Sequence, residues 1–256
     1  MTPRIDLNSD IGESFGAWTM GDDAGVLAHV TSANIACGFH AGDPATMQRT
    51  VALAVRHGVA IGAHVSLPDL QGFGRREMRV NADETYAMTL YQLGALAAFA
   101  QAAGTRMRHV KPHGALYNMA ARDAVLADAI AHAVRDFDAQ LILVGLANSE
   151  STRAGERAGL TVAHEAFADR RYQGDGTLTP RREADAVIED VDAAVAQALA
   201  IATRGEVVAR DGTTIALRAD TICVHGDRPN AAPFAARLRS ALMDGGIALA
   251  PLDRQA

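Results

Sequence analysis

The sequence has 256 residues and is short of cysteine, aromatic side chains and positive charge. Its two cysteines, Cys37 and Cys223, are too few for a disulfide framework, so we expect reduced thiols in a cytoplasmic protein. Aromatic residues make up 5%, and 24 Lys and Arg against 30 Asp and Glu give a net charge of −6. This acidic balance argues against a general nucleic-acid-binding protein, which needs a basic patch.

Long hydrophobic runs and common cofactor motifs are also missing. Apolar stretches such as Leu141 to Ala147 are far shorter than the roughly 20 residues of a membrane span. Charges from Arg4 onward leave no apolar core for a signal peptide. The sequence contains no GxxxxGK[ST] and no GxGxxG after a strand. We therefore expect no membrane anchor, no flavin or nicotinamide, and no nucleotide site built by this chain alone.

What the sequence does contain is an alternation of short β-prone runs and longer alanine-rich helical stretches. The pattern predicts strands near residues 4–8, 32–36, 59–62, 107–110, 141–144, 160–163, 221–224 and 247–249. Helices are predicted near residues 43–57, 82–103, 123–137, 149–158, 182–202 and 229–243. Alternation favours parallel strands with right-handed crossovers. Seven or eight repeats predict an α/β protein, a single distorted TIM-like barrel over residues 1–256, with a small hairpin insertion near residues 206–217.

Polar side chains follow most of the predicted strands. Along the first strand Asp6, Asn8 and Asp10 alternate, so an extended backbone points them to one side. Later candidates lie at or just after strand ends: Glu13, Asn34, His40, His64, Lys111, His113, Glu165, Asp169, Arg170 and His225. The carboxyl ends of barrel strands build the active site in α/β barrels. The pattern therefore predicts an enzyme.

Some of these positions have a structural alternative. Asp6 could be a buried hydrogen-bonding residue that fixes the first strand, and Asp43 is better explained as a helix N-cap. His109 lies inside a strand, where packing is the simpler role, and Asp227 could cap a helix that opens at Pro229. A divalent metal ion is one further option, because imidazoles together with a carboxylate suit a hydrolytic zinc-like site. Its candidate ligands are His40, His64 and His113, although no HExxH motif supports them.

Longer runs make a more specific comparison possible. They include DLNSDIGESFGA at 6–17, TSANIACGFHAGDPA at 31–45, PDLQGFGRR at 68–76 and RHVKPHGALYNM at 108–119. In these runs the sequence resembles the LamB/YcsF family, over about residues 4–250. The resemblance implies a barrel related to NodB-like polysaccharide deacetylases. It also implies hydrolysis of 5-oxoproline (pyroglutamate) to glutamate, coupled to ATP hydrolysis, in a 5-oxoprolinase complex with partner B and C subunits.

That reaction suggests a role for each candidate. A general base for water is expected at Asp10 or Glu13, and Lys111 is expected to stabilise developing negative charge. Either Glu165 or Asp169 would protonate the ring nitrogen or orient a histidine. The predicted substrate-binding residues are Asp6, Asn8, Asn34 for the lactam amide, Arg170 for the carboxylate, and His225. ATP would be bound through the complex, since this chain has no phosphate loop.

Two other functions remain open at this point. One is a stand-alone metal-dependent hydrolase, such as a carbohydrate deacetylase, although Trp18 is the only tryptophan available for stacking on a sugar. The other is a non-catalytic component that organises its partners. The sequence leaves the oligomeric state open, including a homo-oligomer.

Overall fold

The computed structural model describes residues 3–226 and 230–253. The strands of this part of the chain are β1 (Arg4–Ile11), β2 (Ser32–Ala36), β3 (Ala60–His64), β4 (Met107–Val110), β5 (Ile142–Leu146), β6 (Thr161–Phe167), β7 (Glu206–Val208), β8 (Thr214–Ala216), β9 (Thr221–Val224) and β10 (Ala248–Leu249). The helices are α1 (Asp23–Leu27), α2 (Pro44–His57), α3 (Ala82–Ala102), α4 (Gly114–Ala120), α5 (Ala124–Asp138), α6 (Glu150–Arg157), α7 (Val191–Arg204) and α8 (Ala231–Asp244). Within these residues no helix has the length and apolar character needed to cross a bilayer.

Seven parallel strands close into a barrel. They follow the order β1-β2-β3-β4-β5-β6-β9, and β9 returns to pair with β1. The predicted distorted barrel is thus confirmed, with seven strands in the closed ring. The short β10 pairs with Arg4 and Ile5, the first two residues of β1, and β9 pairs with β1 from Asp6 onward. An antiparallel hairpin of β7 and β8 precedes β9.

Local sequence signals account for most helix boundaries. Asn81 accepts from the Glu84 amide while the Glu84 side chain accepts from the Asn81 amide, which forms a capping box at the start of α3. Asp43 caps α2, as expected, with Pro44 at the first position and Gly58 in a left-handed conformation at the end. The expected cap at Asp227 and the opening at Pro229 lie outside the described residues.

Two parts of the helix prediction were wrong. The helix expected from residue 182 begins only at Val191. Residues before it instead pair with the loop that follows β6, because the amide of Ile188 donates to the carbonyl of Asp169 and the amide of Arg171 donates to that of Ala186. These tertiary hydrogen bonds override local helix propensity. The short helices α1 and α4 were not predicted, since each is too short to show a periodic pattern.

The barrel encloses polar side chains, and the main apolar core lies between the strands and the helices. On β1 the buried Leu7 and Ile11 belong to the apolar core. The alternate residues Asp6, Asn8 and Asp10 hydrogen-bond in the barrel interior to side chains that lie on, or directly after, other strands, as the alternation predicts. A buried polar group is costly unless it is hydrogen-bonded. The side chains of the interior are therefore joined in a hydrogen-bond network.

Candidate active site

The polar side chains inside the barrel form layers, and the layer nearest the amino-terminal ends of the strands is centred on Asp6. Its carboxylate accepts hydrogen bonds from the hydroxyls of Thr31, Ser32 and Thr221 at 2.7, 2.6 and 2.5 Å. Burial raises the pKa of Asp6, although the three hydroxyls partly offset that effect. Asp6 was predicted to bind substrate, but it lies beneath the strand ends with its oxygens occupied. Its surroundings match the alternative role, a buried residue that fixes the first strand.

The middle layer is built from two asparagines. The Asn34 amide nitrogen donates to Asn8 Oδ1 at 2.7 Å and to Asp10 Oδ1 at 2.9 Å. The Asn34 oxygen accepts from His109 Nε2 at 2.8 Å, and the Asn8 nitrogen donates to Glu165 Oε1 at 3.0 Å. Both amides are buried and fully engaged, so they support the residues above them. Neither is among the residues that line the pocket, and their predicted contact with substrate stays a prediction.

His109 fits inside the barrel only because its neighbour on β3 lacks a side chain. A Cβ atom at Gly62 would lie 2.1 Å from Nε2 of His109. Burial, with the charge of Lys111, lowers the pKa of His109 to about 3. The imidazole is therefore a neutral donor to Asn34, and it serves packing and hydrogen bonding, as its place inside a strand predicted.

Lys111 connects the middle layer to the strand ends. Its ammonium lies 2.8 Å from Glu165 Oε1, 3.0 Å from Asp10 Oδ1 and 3.2 Å from Asn8 Oδ1, with Cys223 Sγ at 3.1 Å. Burial lowers the pKa of Lys111, but the carboxylates of Asp10 and Glu165 more than offset this and hold it well above its usual value. An ammonium has three hydrogens to donate, and all of them have acceptors here. Lys111 thus positions carboxylates; it is not a free donor for substrate.

Asp10 forms part of the pocket floor at the end of β1. One oxygen accepts from Lys111 and Asn34, and the other lies 3.2 Å from Nε2 of His64. Burial raises the pKa of Asp10, but His64 and Lys111 outweigh burial and hold the pKa well below its ordinary value. The carboxylate is therefore ionised, oriented and in contact with the pocket.

Three histidines predicted as metal ligands do come together above this layer, and Glu13 joins them. His40 Nε2 lies 3.2 Å from Glu13 Oε1, and His113 Nδ1 lies 2.9 Å from His64 Nε2. The rings of His40 and His113 stack with their centroids 3.8 Å apart. Burial, reinforced by the neighbouring imidazoles, holds the pKa values of His40 and His113 well below the ordinary value. The cluster consists of buried imidazoles beside a carboxylate.

On the opposite side of the pocket, His225 is oriented by a buried acid. Its Nδ1 lies 2.8 Å from Oδ1 of Asp169, and its ring stacks near that of Phe167. An imidazole held by a carboxylate is a common arrangement for proton transfer. Of the two roles predicted for Asp169, orienting a histidine is the one that its position matches. Glu165, the other acid predicted for these roles, is fully buried and is the ion-pair partner of Lys111.

Arg170 is used mainly within the protein. Its guanidinium donates to the carbonyls of Thr179 at 2.6 Å and Ala186 at 3.3 Å, and burial lowers its pKa to about 10. These bonds attach the segment before α7 to the loop after β6. Arg170 also borders the pocket, so its predicted role as the partner of a substrate carboxylate stays a prediction.

The pocket itself is small, with a cavity volume of about 40 Å³, and it is partly open to solvent. Seven predicted residues line it together with several that the sequence did not single out. The predicted ones are Asp10, Glu13, His64, Lys111, His113, Arg170 and His225, and the others include Arg75, Tyr117, Asn118 and Arg181. Arg75 belongs to the GFGRR run, which could have pointed to it. Tyr117 and Asn118 belong to the RHVKPHGALYNM run, which could have pointed to them in the same way, whereas Arg181 has no distinguishing local signal.

A closed parallel barrel with acids, a lysine and histidines at its strand ends has the architecture of an α/β-barrel enzyme. The chain belongs to the LamB/YcsF family, whose sequence model matches residues 5–256. This confirms the family resemblance.

Individual relatives agree with this assignment. The chain is 63% identical over 252 residues to a Methylococcus capsulatus protein named as the A subunit of 5-oxoprolinase, covering 98% of this chain and 97% of that one. The crystal structure of the lactam utilization protein from Thermus thermophilus matches with a TM-score of 0.92 and 47% identity, covering 97% of this chain and 100% of that one. A T48 deacetylase solved with substrate shares the fold alone, with a TM-score of 0.50 and 17% identity, covering 98% of this chain and 88% of that one.

Proposed function

We propose that this chain is the lactam-hydrolysing component of an ATP-dependent 5-oxoprolinase and acts together with partner B and C subunits. The observation that carries the proposal is one small pocket that combines the ionised Asp10 with the arginines Arg75 and Arg181. This pairing suits a small anionic amide, because one group can activate water while the others attract a carboxylate. The relative named as the A subunit of 5-oxoprolinase supports the choice of lactam.

The chemistry explains why ATP is needed. Amide resonance protects the lactam carbonyl, and an unstrained five-membered ring gives little driving force for opening. Transfer of the terminal phosphoryl group of ATP to the lactam oxygen makes the ring carbon electrophilic and releases ADP. Water then adds to that carbon, the carbon–nitrogen bond breaks, and the nitrogen takes a proton. The resulting acyl phosphate is hydrolysed by a second water to glutamate and phosphate.

Within this scheme the chain supplies the site for ring opening. Asp10 takes the proton from water, and Lys111 and His64 keep its carboxylate ionised and oriented. His225, oriented by Asp169, donates the proton to the ring nitrogen. Arg75 and Arg181 hold the substrate carboxylate at the rim. ATP is bound by the partners, since the sequence has no phosphate loop.

Omission from a reconstituted complex tests the proposal. The purified chain and the B and C subunits are mixed with 5-oxoproline and ATP, and glutamate and phosphate are measured after each component is left out in turn. We expect glutamate only when all three are present. Full activity of B and C without this chain would instead assign it no catalytic role.

A variant pair then locates the chemistry in the pocket. Asp10→Asn is expected to abolish glutamate formation while the variant still folds and assembles with B and C. Asp128→Asn, on the exposed face of α5, removes a carboxylate elsewhere and is expected to retain full turnover. Near-normal turnover of Asp10→Asn would reject Asp10 as the base.

The buried cluster of imidazoles with Glu13 favours a second candidate, a stand-alone metal-dependent hydrolase. That function predicts release of acetate from an acetylated sugar by the isolated chain without ATP. The same preparation therefore separates the two candidates, because the first requires ATP and partners and the second requires neither.

A further inference from the structure

Nitrogen and oxygen atoms of four buried side chains converge at one edge of the pocket. Glu13, His40, His64 and His113 each place one potential ligand atom within 4.8 Å of the others. They follow four neighbouring segments, at the ends of β1 to β4. What this cluster binds can be derived from the hydrogen bonds that each ring makes.

Two backbone carbonyls determine which ring nitrogens carry hydrogen. Nδ1 of His64 lies 2.9 Å from the carbonyl oxygen of Lys111, and Nε2 of His113 lies 2.8 Å from that of Phe73. A carbonyl oxygen can only accept, so both of these nitrogens must be protonated. Unless a proton or an ion lies between them, the remaining nitrogens, Nε2 of His64 and Nδ1 of His113, then carry lone pairs.

Those two lone-pair nitrogens face each other. Nε2 of His64 and Nδ1 of His113 are 2.9 Å apart, and neither has a hydrogen to donate in a neutral ring. The rings are nearly perpendicular, with an angle of 88° between their planes. Two acceptors at this separation repel each other unless a positively charged species lies between them.

Two carboxylate oxygens also lie close to these nitrogens, and their negative charge favours a cation at the same place. Oε1 of Glu13 lies 3.5 Å from Nδ1 of His113, and Oδ2 of Asp10 lies 3.2 Å from Nε2 of His64. Ligand atoms that share a zinc-like ion, each about 2.0–2.2 Å from it, lie roughly 3 to 3.5 Å from one another. Nδ1 of His113 lies 2.9 Å from Nε2 of His64 and 3.5 Å from Oε1 of Glu13, separations close to that spacing.

We propose that this chain binds one divalent transition-metal ion through Nε2 of His64, Nδ1 of His113 and a carboxylate oxygen of Glu13. Two imidazoles and a carboxylate form a donor set that suits zinc and neighbouring first-row metals. The proposal rests on ligand geometry and is independent of the reaction proposed above.

His40 has a different role from the one its sequence position suggested. Its ring is stacked on His113 at 3.8 Å with only 7° between the planes, so the two rings cannot both direct an in-plane lone pair at one ion. Its Nε2 lies 3.2 Å from Oε1 of Glu13, where it can donate and orient the carboxylate. Its Nδ1 has no hydrogen-bond partner among the described residues. His40 is therefore a positioning residue for the ligand Glu13.

The loop after β3 seals this cluster. A Cβ atom on Gly74, whose φ is +63°, would lie 2.7 Å from Cβ of His40 and 2.9 Å from Cδ2 of His113. Only a glycine allows the backbone to pack so closely on the two rings, and the preceding Phe73 supplies the carbonyl that orients His113. Backbone thus holds the ligands from behind, in the way that metal-binding histidines are commonly oriented by a hydrogen bond at the nitrogen away from the metal.

Metal binding by the full chain tests the proposal without any activity measurement. The protein is stripped with a chelator and titrated with Zn²⁺ by calorimetry and with Co²⁺ by visible absorption. We expect one equivalent per chain, with a cobalt spectrum typical of nitrogen and oxygen ligands. A wild-type protein that binds neither ion in stoichiometric amount would overturn the proposal and would leave a shared proton as the link between the two rings.

Variants then identify the ligands. Glu13→Gln and His113→Gln are expected to weaken binding at least about 100-fold, and His40→Gln only about 10-fold, as for a residue that orients a ligand. His164→Gln, at a half-buried histidine of β6 outside the cluster, is the matched control and should bind as wild type. Circular dichroism of each stripped variant checks that it is folded. Equal affinity of Glu13→Gln and wild type would contradict the ligand set.

Discussion

The ammonium of Lys111 and the carboxylate of Glu165 lie 2.8 Å apart, and both side chains are buried inside the barrel. Lys111 is also the counter-ion of Asp10, so one cation neutralises two buried acids. An unpaired buried charge is costly, whereas an exposed ion pair contributes little. The effect of removing a cation should therefore depend strongly on where it lies.

Replacing Lys111 is expected to destabilise the protein severely. Lys111→Met leaves Asp10 and Glu165 without their counter-ion and should lower the free energy of unfolding by about 3–5 kcal/mol. Arg157→Met, which breaks an exposed pair with Asp128, should cost less than about 1 kcal/mol. Urea denaturation of both variants gives the comparison, and similar losses would show that the buried network is not stabilised by Lys111.

The orientation of His225 by Asp169 predicts a kinetic effect with little change in stability. Asp169→Asn keeps the size of the side chain but weakens its hold on the imidazole. In the reconstituted complex we expect kcat to fall by about 10²–10⁴-fold, the range for general acid–base groups, with a small change in KM. Asp175→Asn, in the exposed part of the same loop, is the control and should leave kcat unchanged. An increase in KM alone would assign Asp169 to substrate binding.

Replacing glycine with alanine is predicted to have opposite effects on stability at Gly62, which packs against His109, and at Gly94, which is exposed. Gly62→Ala places a methyl group against the imidazole and should destabilise the fold by about 1–3 kcal/mol through overpacking. Gly94→Ala, on the exposed face of α3 with nothing near the new atom, should stabilise by up to about 1 kcal/mol because alanine favours helix. Thermal unfolding measures both, and a harmless Gly62→Ala would mean that the barrel interior can relax around His109.

The partly buried carboxyl of Asp23 predicts a pH dependence of stability. Its oxygen accepts from the Gly12 amide at 3.1 Å, and burial raises its pKa from 3.8 to about 6. A raised acid pKa means that the folded state binds the proton more tightly, so the ionised group costs stability above pH 6 and little below about pH 4. Asp23→Asn keeps an acceptor without the charge, and it should therefore raise the free energy of unfolding at pH 8 by about 1–3 kcal/mol.

That gain should shrink to about 0.5 kcal/mol as the pH is lowered to 4, because the carboxyl is then protonated in the folded state and the pH is close to 3.8, its ordinary pKa. Denaturant titrations at pH 4, 6 and 8 provide the test. Asp83→Asn, at an exposed position in the first turn of α3, serves as the control and should change stability by less than about 0.5 kcal/mol throughout. A gain for Asp23→Asn that is equal at pH 4 and pH 8 would exclude its charge as the cause.

Much of the barrel could be predicted because its signals are local. The alternation of Asp6, Asn8 and Asp10 shows one face of a strand, and strand–helix repeats indicate parallel pairing. How deep a side chain lies in the barrel cannot be predicted from local sequence. Asp6 and Asp10 look alike in the sequence, but Asp6 is bonded to buried hydroxyls and Asp10 reaches the pocket. This difference depends on how β1 pairs with β2 and β9.

The long loops were the least predictable part for a related reason. In the sequence nothing marks Arg170 as a residue used within the protein, yet carbonyls of Thr179 and Ala186 accept hydrogen bonds from its guanidinium. Such contacts depend on how two irregular segments meet, and neither segment has a periodic pattern. For the same reason residues near Arg182 favour a helix in isolation and form turns in the fold.

The pairing of β10 with the first residues of β1 has a practical consequence. Arg4 lies beside Ala248, and its guanidinium donates to the carbonyl of Pro251, at the amino-terminal end of the barrel strands. The pocket opens at the other end. An affinity tag or a surface linker attached near Arg4 or Pro251 would therefore leave the pocket facing away from the solid support. The immobilised protein could then be used to capture candidate partner proteins.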